Sequence, residues 1–339
     1  MVRTLKRTIR LLKVVLAVHP FLWSVAGVVL IVDAIWIHWG GYRVLMRDVL
    51  VNGGALIFIL GLAGMAREVG YILYEYGHEA KSRKALYISD AAGAIAAYSC
   101  FSSIGIIFSY LCVTLNFPLI DSYLIRFDSM LGFDWVRLYK WVHSHHDVKV
   151  VLAFAYSTIL WQSAAIPVAL GLLGRREDLA KYVFCIILST FLAIFISTPF
   201  PAKGAFIHFN ISDPRTSSTT SYFAPLRSEV MRILEFEKMQ ELIAMPSLHT
   251  AYAVIFIYAI RSIAVLYLPS AVLNVVMVAS TPTEGGHYLA DVIGGLLVAF
   301  IAILIAERVR LFDHLRQVKL SREEETPART PGNASCVQS

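Results

Sequence analysis

Charge is what this chain is short of. Only 16% of its 339 residues are Asp, Glu, Lys or Arg, against 57% hydrophobic, and mean hydropathy is +0.64. A water-soluble fold of this size has no use for so much apolar surface, which excludes a purely soluble protein. Cysteine is scarce as well. Cys100, Cys112, Cys185 and Cys336 stand far apart with no C-x-x-C pair, so neither a disulfide framework nor a zinc site is expected. The formal net charge of +6 comes without an aromatic-interleaved basic patch or finger spacing, and no nucleic-acid partner is expected.

Long apolar runs fill the space that charge leaves. They fall near 21–39, 49–65, 92–115, 149–171, 180–199, 246–264, 266–281 and 286–306, and several reach the ~20 residues that cross a bilayer core as helix. The fold class is therefore all-α, a polytopic membrane helix bundle of about eight transmembrane helices. The first run is too long for a cleaved leader. Three segments are expected: 1–90, a basic leader plus two spans; 91–310, the main membrane domain; and 311–339, a polar disordered tail. Lys/Arg bias places the N-terminus, the Lys81–Lys84 loop, Arg175, Arg176, Arg261 and Arg308 on one face. That face reads as cytoplasmic, with both termini on it, in a bacterial inner (plasma) membrane, and the other as periplasmic or extracytoplasmic.

The opposite face collects the chemistry. Residues 117–147 read as an interfacial helical segment, and its His143, His145 and His146 as a wetted helix end rather than a metal site. Asp33, inside a span, is a functional suspect by default. Arg261 is expected to snorkel to the cytoplasmic surface. The connection 200–245 carries Lys203, Arg215, Arg227, Arg232 and Lys238 against the charge bias, which points either to anion binding or to contact with lipid headgroups.

Two short segments, Met245-Pro246-Ser247-Leu248-His249-Thr250 and Ser280 to Asp291, each deliver a histidine to the start of an apolar helix on that same face. His287 and Asp291, four apart, share one face of a helix. An aspartate accepting from one imidazole nitrogen leaves the other nitrogen's lone pair to attack. Gly285-Gly286 allows close backbone approach, and the helix N-terminus after it favours a phosphate. His249 follows Pro246 and Ser247 and supplies a proton for a leaving oxygen. The set meets the needs of histidine-mediated phosphoryl transfer without a metal or cofactor.

The chain resembles the type-2 phosphatidic acid phosphatase superfamily. Its P-S-x-H signature is matched by Pro246, Ser247, Leu248 and His249, and its S-R-x5-H-x3-D signature by Ser280, His287 and Asp291, with Thr281 in the arginine's place. The K-x6-R-P signature is absent, Pro199 to Gly204 standing where it would fall. The M-P-S-L-H and H-Y-L-A-D wording is similar to the branch containing inositol phosphorylceramide synthases and bacterial relatives.

The resemblance implies a six-helix core over 92–306, a phosphohistidine on His287, Asp291 as its orienter and His249 as the acid. The expected phosphate-binding residues are Lys203, Arg227, Ser247 and Gly286. The expected partners are a membrane lipid substrate and an acceptor alcohol such as inositol, or water. The rival readings are an anionic-lipid transporter or scramblase, and an inactive structural relative.

Overall fold

A computed structural model describes residues 20–211, 222–235 and 242–308. The basic leader, Arg215, Lys238 and the tail lie outside the described residues. The architecture is all-α, as hydrophobicity without water-facing periodicity requires: in a bilayer each backbone group must be paired within its own segment. The apolar helices are α1 (Pro20–Gly40), α2 (Met46–Glu75), α3 (Glu79–Val113), the pair α6 (His146–Ser157) and α7 (Ile159–Leu172), α8 (Arg176–Ser197), α11 (Leu248–Ile260), α12 (Ala264–Glu284) and α13 (Leu289–Arg308). Between α3 and α6 lie two short helices, α4 (Asp121–Met130) and α5 (Trp135–Ser144). The long connection holds α9 (Ala205–His208) and α10 (Phe223–Arg227).

Six of these helices are long and apolar enough to cross a membrane alone, and the α6–α7 pair, bent by 48°, makes seven if taken as one span. The bend has a local cause. The Thr158 hydroxyl donates to the Ala155 carbonyl at 2.6 Å, and its amide also turns back to Ala155, which tightens the ladder at the break. The eighth expected span is α11, whose 13 residues rise only about 20 Å, short of the ~30 Å hydrocarbon core. Ser247 caps its start and the chain turns at Arg261. Most of α11 is buried among other helices, so lipid need not match its length.

The expected Lys81–Lys84 loop is helix: α3 starts at Glu79, so the expected boundary at residue 90 falls inside one element. Buried Arg67 of α2 explains the continuity. It donates to Asp90 at 2.7 Å and to Ser89 at 3.1 Å, and Asp90 also pairs with Arg176 of α8. The bundle is built around α8, which packs against α3, α7, α11 and α13, with Tyr182, Ile186, Phe191 and Phe256 at its centre.

At one end of the bundle, ion pairs join α8, α11 and α13. Lys181, 3% exposed, meets Glu307 at 2.7 Å and Glu177 at 3.0 Å. Arg261 lies over Tyr258 and pairs with Asp178 and Glu307. Arg261 is thus held by the protein rather than merely reaching for water. Asp33 is 1% exposed, and neither carboxylate oxygen has a hydrogen-bond partner among the described residues.

At the other end, the α1–α2 linker forms a parallel bridge, β1 (Arg43–Val44) with β2 (Ile233–Leu234). Arg232 reinforces it, donating to the Gly40 carbonyl at 2.6 Å and lying over the Tyr42 ring. The α11 N-terminus and the α12–α13 turn sit at this end, which brings the two histidine segments together.

Candidate active site

Proline organises the turn before His287. Pro282 has no N–H, so the Val278 carbonyl four residues earlier loses its helical donor. The Thr281 hydroxyl fills that gap, donating to Val278 at 2.8 Å. Thr281 is wholly buried and points into its own helix. The indole of Trp135 on α5 then donates to the Pro282 carbonyl at 3.0 Å, fastening the end of α12.

Gly285 and Gly286 follow for steric reasons. A Cβ on Gly285 would fall 2.7 Å from the His287 ring and 2.7 Å from the Tyr156 hydroxyl. Gly286 has φ +67°, and a Cβ there would meet the Phe206 ring at 2.3 Å, so both its backbone and its surroundings demand glycine. Its carbonyl accepts from the Ala205 amide at 2.8 Å.

His287 Nδ1 lies 2.8 Å from the Ala244 carbonyl. A carbonyl can only accept, so Nδ1 carries a proton and, in the neutral ring, Nε2 carries the lone pair. The Asp291 carboxylate is 3.5 Å from the same nitrogen, and its nearer partner is the Tyr288 amide at 2.8 Å. The backbone of residue 244 therefore shares the orienting task expected of Asp291 alone.

The helix N-terminus does not stand open for a phosphate. The first amides of α13, Leu289 and Ala290, donate to Asp128 of α4 at 2.8 and 2.9 Å. Burial raises the Asp128 carboxyl above its ordinary range, and those two amides pull it back only in part. Two turns earlier on α4, Asp121 accepts from the amides of Lys203 and Gly204 and from the Tyr288 hydroxyl. Burial, reinforced by Asp121, keeps that phenol well above its usual range and hence neutral. One amphipathic helix thus braces both the Lys203 loop and the His287 turn.

His249 stands on the first turn of α11, whose cap is Ser247, accepting from the Thr250 amide at 3.4 Å. The Ser247 amide donates to the Asp291 carbonyl at 3.0 Å, tying α11 to α13 beside the two histidines. A Tyr156 ring lies flat on the His249 imidazole, centroids 4.0 Å apart and planes 7° from parallel.

Both histidines line one cavity of about 520 Å³, together with Tyr156, Lys203, Gly285 and Gly286. From there it runs between α3, α8 and α11 past Gly105, Ile106, Ile194, Leu248 and Tyr252. A pocket of this size, apolar with a few convergent polar groups, is suited to an amphiphile.

The expected residues divide. His249, His287, Lys203 and Gly286 meet on the cavity, with Asp291 directly behind. Ser247 is fully buried as a helix cap and does not line the cavity. Arg227 lies in a neighbouring crevice, donating to the Phe117 carbonyl at 2.7 Å. Its guanidinium is shifted down by burial, with Asp121 acting the other way. The tract at 143–146 is taken up in capping, His143 and His145 each turning Nδ1 to an α5 carbonyl. Among the described residues no three His, Cys, Asp or Glu side chains converge as a metal-ligand group.

Sequence reading missed Asp121, Asp128, Tyr156 and Ala244. For the two aspartates a signal existed: they lie two helical turns apart, with buried Leu124 between them on the same face. For Ala244, a backbone acceptor, there was none.

A family model described as the PAP2 superfamily matches residues 122–305. No curated protein and no solved structure was found to match. The matched region runs from α4 to α13 and holds both histidines, while α3, which lines the cavity, lies before it. With more than half of its length matched, this chain belongs to the PAP2 superfamily.

Proposed function

We propose that this integral-membrane protein cleaves a phosphoester or phosphodiester of a lipid by double displacement. Nε2 of neutral His287 attacks phosphorus, forming an N–P bond as the P–O bond to the leaving alcohol breaks. His249 gives its proton to that oxygen. Water or an acceptor alcohol such as inositol then attacks the phosphorus, returns a proton to His249 and frees His287. Asp291 and the Ala244 carbonyl hold the attacking ring, and Asp291 offsets the positive charge that develops on it. Lys203 offsets the phosphoryl charge in the cavity.

One observation carries the reading: His249 and His287 border a single cavity with Lys203 at its polar end and an apolar channel between spans behind it. The channel suits an acyl or prenyl chain, and the polar end suits a headgroup. Membership of the superfamily, whose members are generally phosphatases, supports an enzyme.

The test is a covalent trap. Membranes holding the full chain are incubated with phosphorus-labelled phospholipids, with and without inositol, and quenched in alkali. Label on the protein that is stable to base, labile to acid and missing from His287→Ala supports the scheme. Turnover without such label removes the nucleophile assigned here, and lipid movement without any covalent change favours the transporter reading.

A further inference from the structure

Tyr156 belongs to neither histidine segment, yet it touches both. It stands two residues before the break between α6 and α7. Its ring covers the His249 imidazole in near-parallel contact. Its hydroxyl fills the space beside Gly285 that any larger residue there would claim. Packing of α6 against α12 sets that reach, because α12 ends in the turn that carries His287.

A general acid must aim one N–H at the leaving oxygen, and the ring of a histidine rotates about two side-chain bonds. A flat neighbour at 4.0 Å removes much of that freedom, since tilting the imidazole would drive it into the phenol. The face of a phenol also attracts a cation, so the contact suits the protonated ring before transfer. We propose that Tyr156 is a positioning residue for proton delivery: its ring holds the plane of His249 toward a leaving group on the phosphorus attacked by His287. This rests on the reading of His249 as the acid.

Leaving groups separate this role from a structural one. Dioctanoyl phosphatidic acid and dioctanoyl phosphatidylinositol release an alkoxide that needs a proton. Nitrophenyl phosphate and the nitrophenyl ester of inositol phosphate release a phenolate that does not. The purified full chain is assayed on both pairs, with melting temperature and elution volume followed for each variant.

Tyr156→Leu is expected to lower kcat/KM, which reports the steps through loss of the leaving group and not the later breakdown of the intermediate, by roughly 10²-fold on the dioctanoyl lipids, the low end for loss of general acid help, and by less than about 3-fold on the nitrophenyl esters. Tyr156→Phe keeps the ring and is expected to stay within about 3-fold of the native protein on both. His249→Ala should show the same selective loss.

If His249→Ala slows both pairs equally, the acid assignment itself fails. If His249→Ala is selective but Tyr156→Leu is silent or slows both pairs alike, the inference about Tyr156 is overturned and the acid assignment survives. Equal losses in Tyr156→Phe and Tyr156→Leu overturn it too, because the hydroxyl would then be the active part. Turnover of neither pair defeats the reading of the site and this inference together.

Discussion

The Ala244 carbonyl oxygen, 2.8 Å from Nδ1 of His287, is a closer partner of that ring than Asp291, at 3.5 Å. A main-chain acceptor fixes the tautomer without bringing a charge. The carboxylate behind it is left chiefly to stabilise the imidazolium and to hold the Tyr288 amide.

Asp291→Asn should therefore be milder than loss of an aspartate that alone set the tautomer. We expect kcat to fall roughly 10²-fold, against about 10⁴-fold or more for His287→Ala. Steady-state rates of the two purified variants on one lipid check this; equal losses would return the orienting role to Asp291.

The two cations expected to bind phosphate should now differ. Lys203→Ala, at the cavity, should raise KM at least about 10-fold with kcat also reduced, as for loss of a charge-assisted contact. Arg227→Ala loses its bond to the Phe117 carbonyl and should change KM by less than about 2-fold, with a small drop in melting temperature. A larger kinetic effect of Arg227→Ala would put that side chain in the site.

Asp128 caps α13 with both oxygens, so Asp128→Ala should cost about 1–2 kcal/mol of stability, within the usual range for a lost helix cap. The pH dependence follows from the raised carboxyl. Over the window between the unfolded and the raised folded pKa the native state binds more proton. Stability therefore falls as pH rises through that window, and the relative benefit of protonation is fully present below it. Asp128→Asn should remove this slope. Melting temperatures in detergent from pH 4 upward measure it, and identical slopes would show that Asp128 is not its source.

Gly285→Ala and Gly295→Ala should part activity from stability. The nearest atoms to a methyl on Gly285 are those of the His287 ring, the Tyr156 hydroxyl and the Thr281 carbonyl, all at the turn that carries His287. We expect about a 10²-fold loss of kcat with a nearly native melting temperature. A methyl on Gly295 would lie 2.4 Å from the Ser247 carbonyl and 2.8 Å from Thr250, between α11 and α13, and should destabilise by about 1–3 kcal/mol, as overpacking does. Thermal melts beside kinetics separate the two.

How much of this was legible beforehand depended on whether the signal was carried by a side chain or by backbone. The spans were readable because ~20 apolar residues in a row have one physical use. The placement of His249 and His287 was readable because a small-residue turn before an apolar run puts each histidine at a helix mouth. That Arg227 turns away from the cavity was not legible because charge alone says nothing of direction, and its direction is set by the distant Phe117 carbonyl. That Ser247 serves as a buried helix cap was not legible because a cap and a ligand donor look alike in sequence. The sixth and seventh apolar runs read as short, but where α11 ends was blurred because apolar residues continue on either side of Arg261. Asp121 and Asp128 went unread because their partners are amides, which every residue possesses.

Thr281 and Pro282 carry a consequence for substitution at either position. The hydroxyl of one mends the gap in hydrogen bonding that the other opens, in a spot with no solvent access. Arginine placed at 281 by itself would strand a guanidinium in a closed space and leave the Val278 oxygen bare, two faults at once. Any larger side chain at 281 thus requires a change at residue 282 first, so the two neighbours constrain each other's substitution.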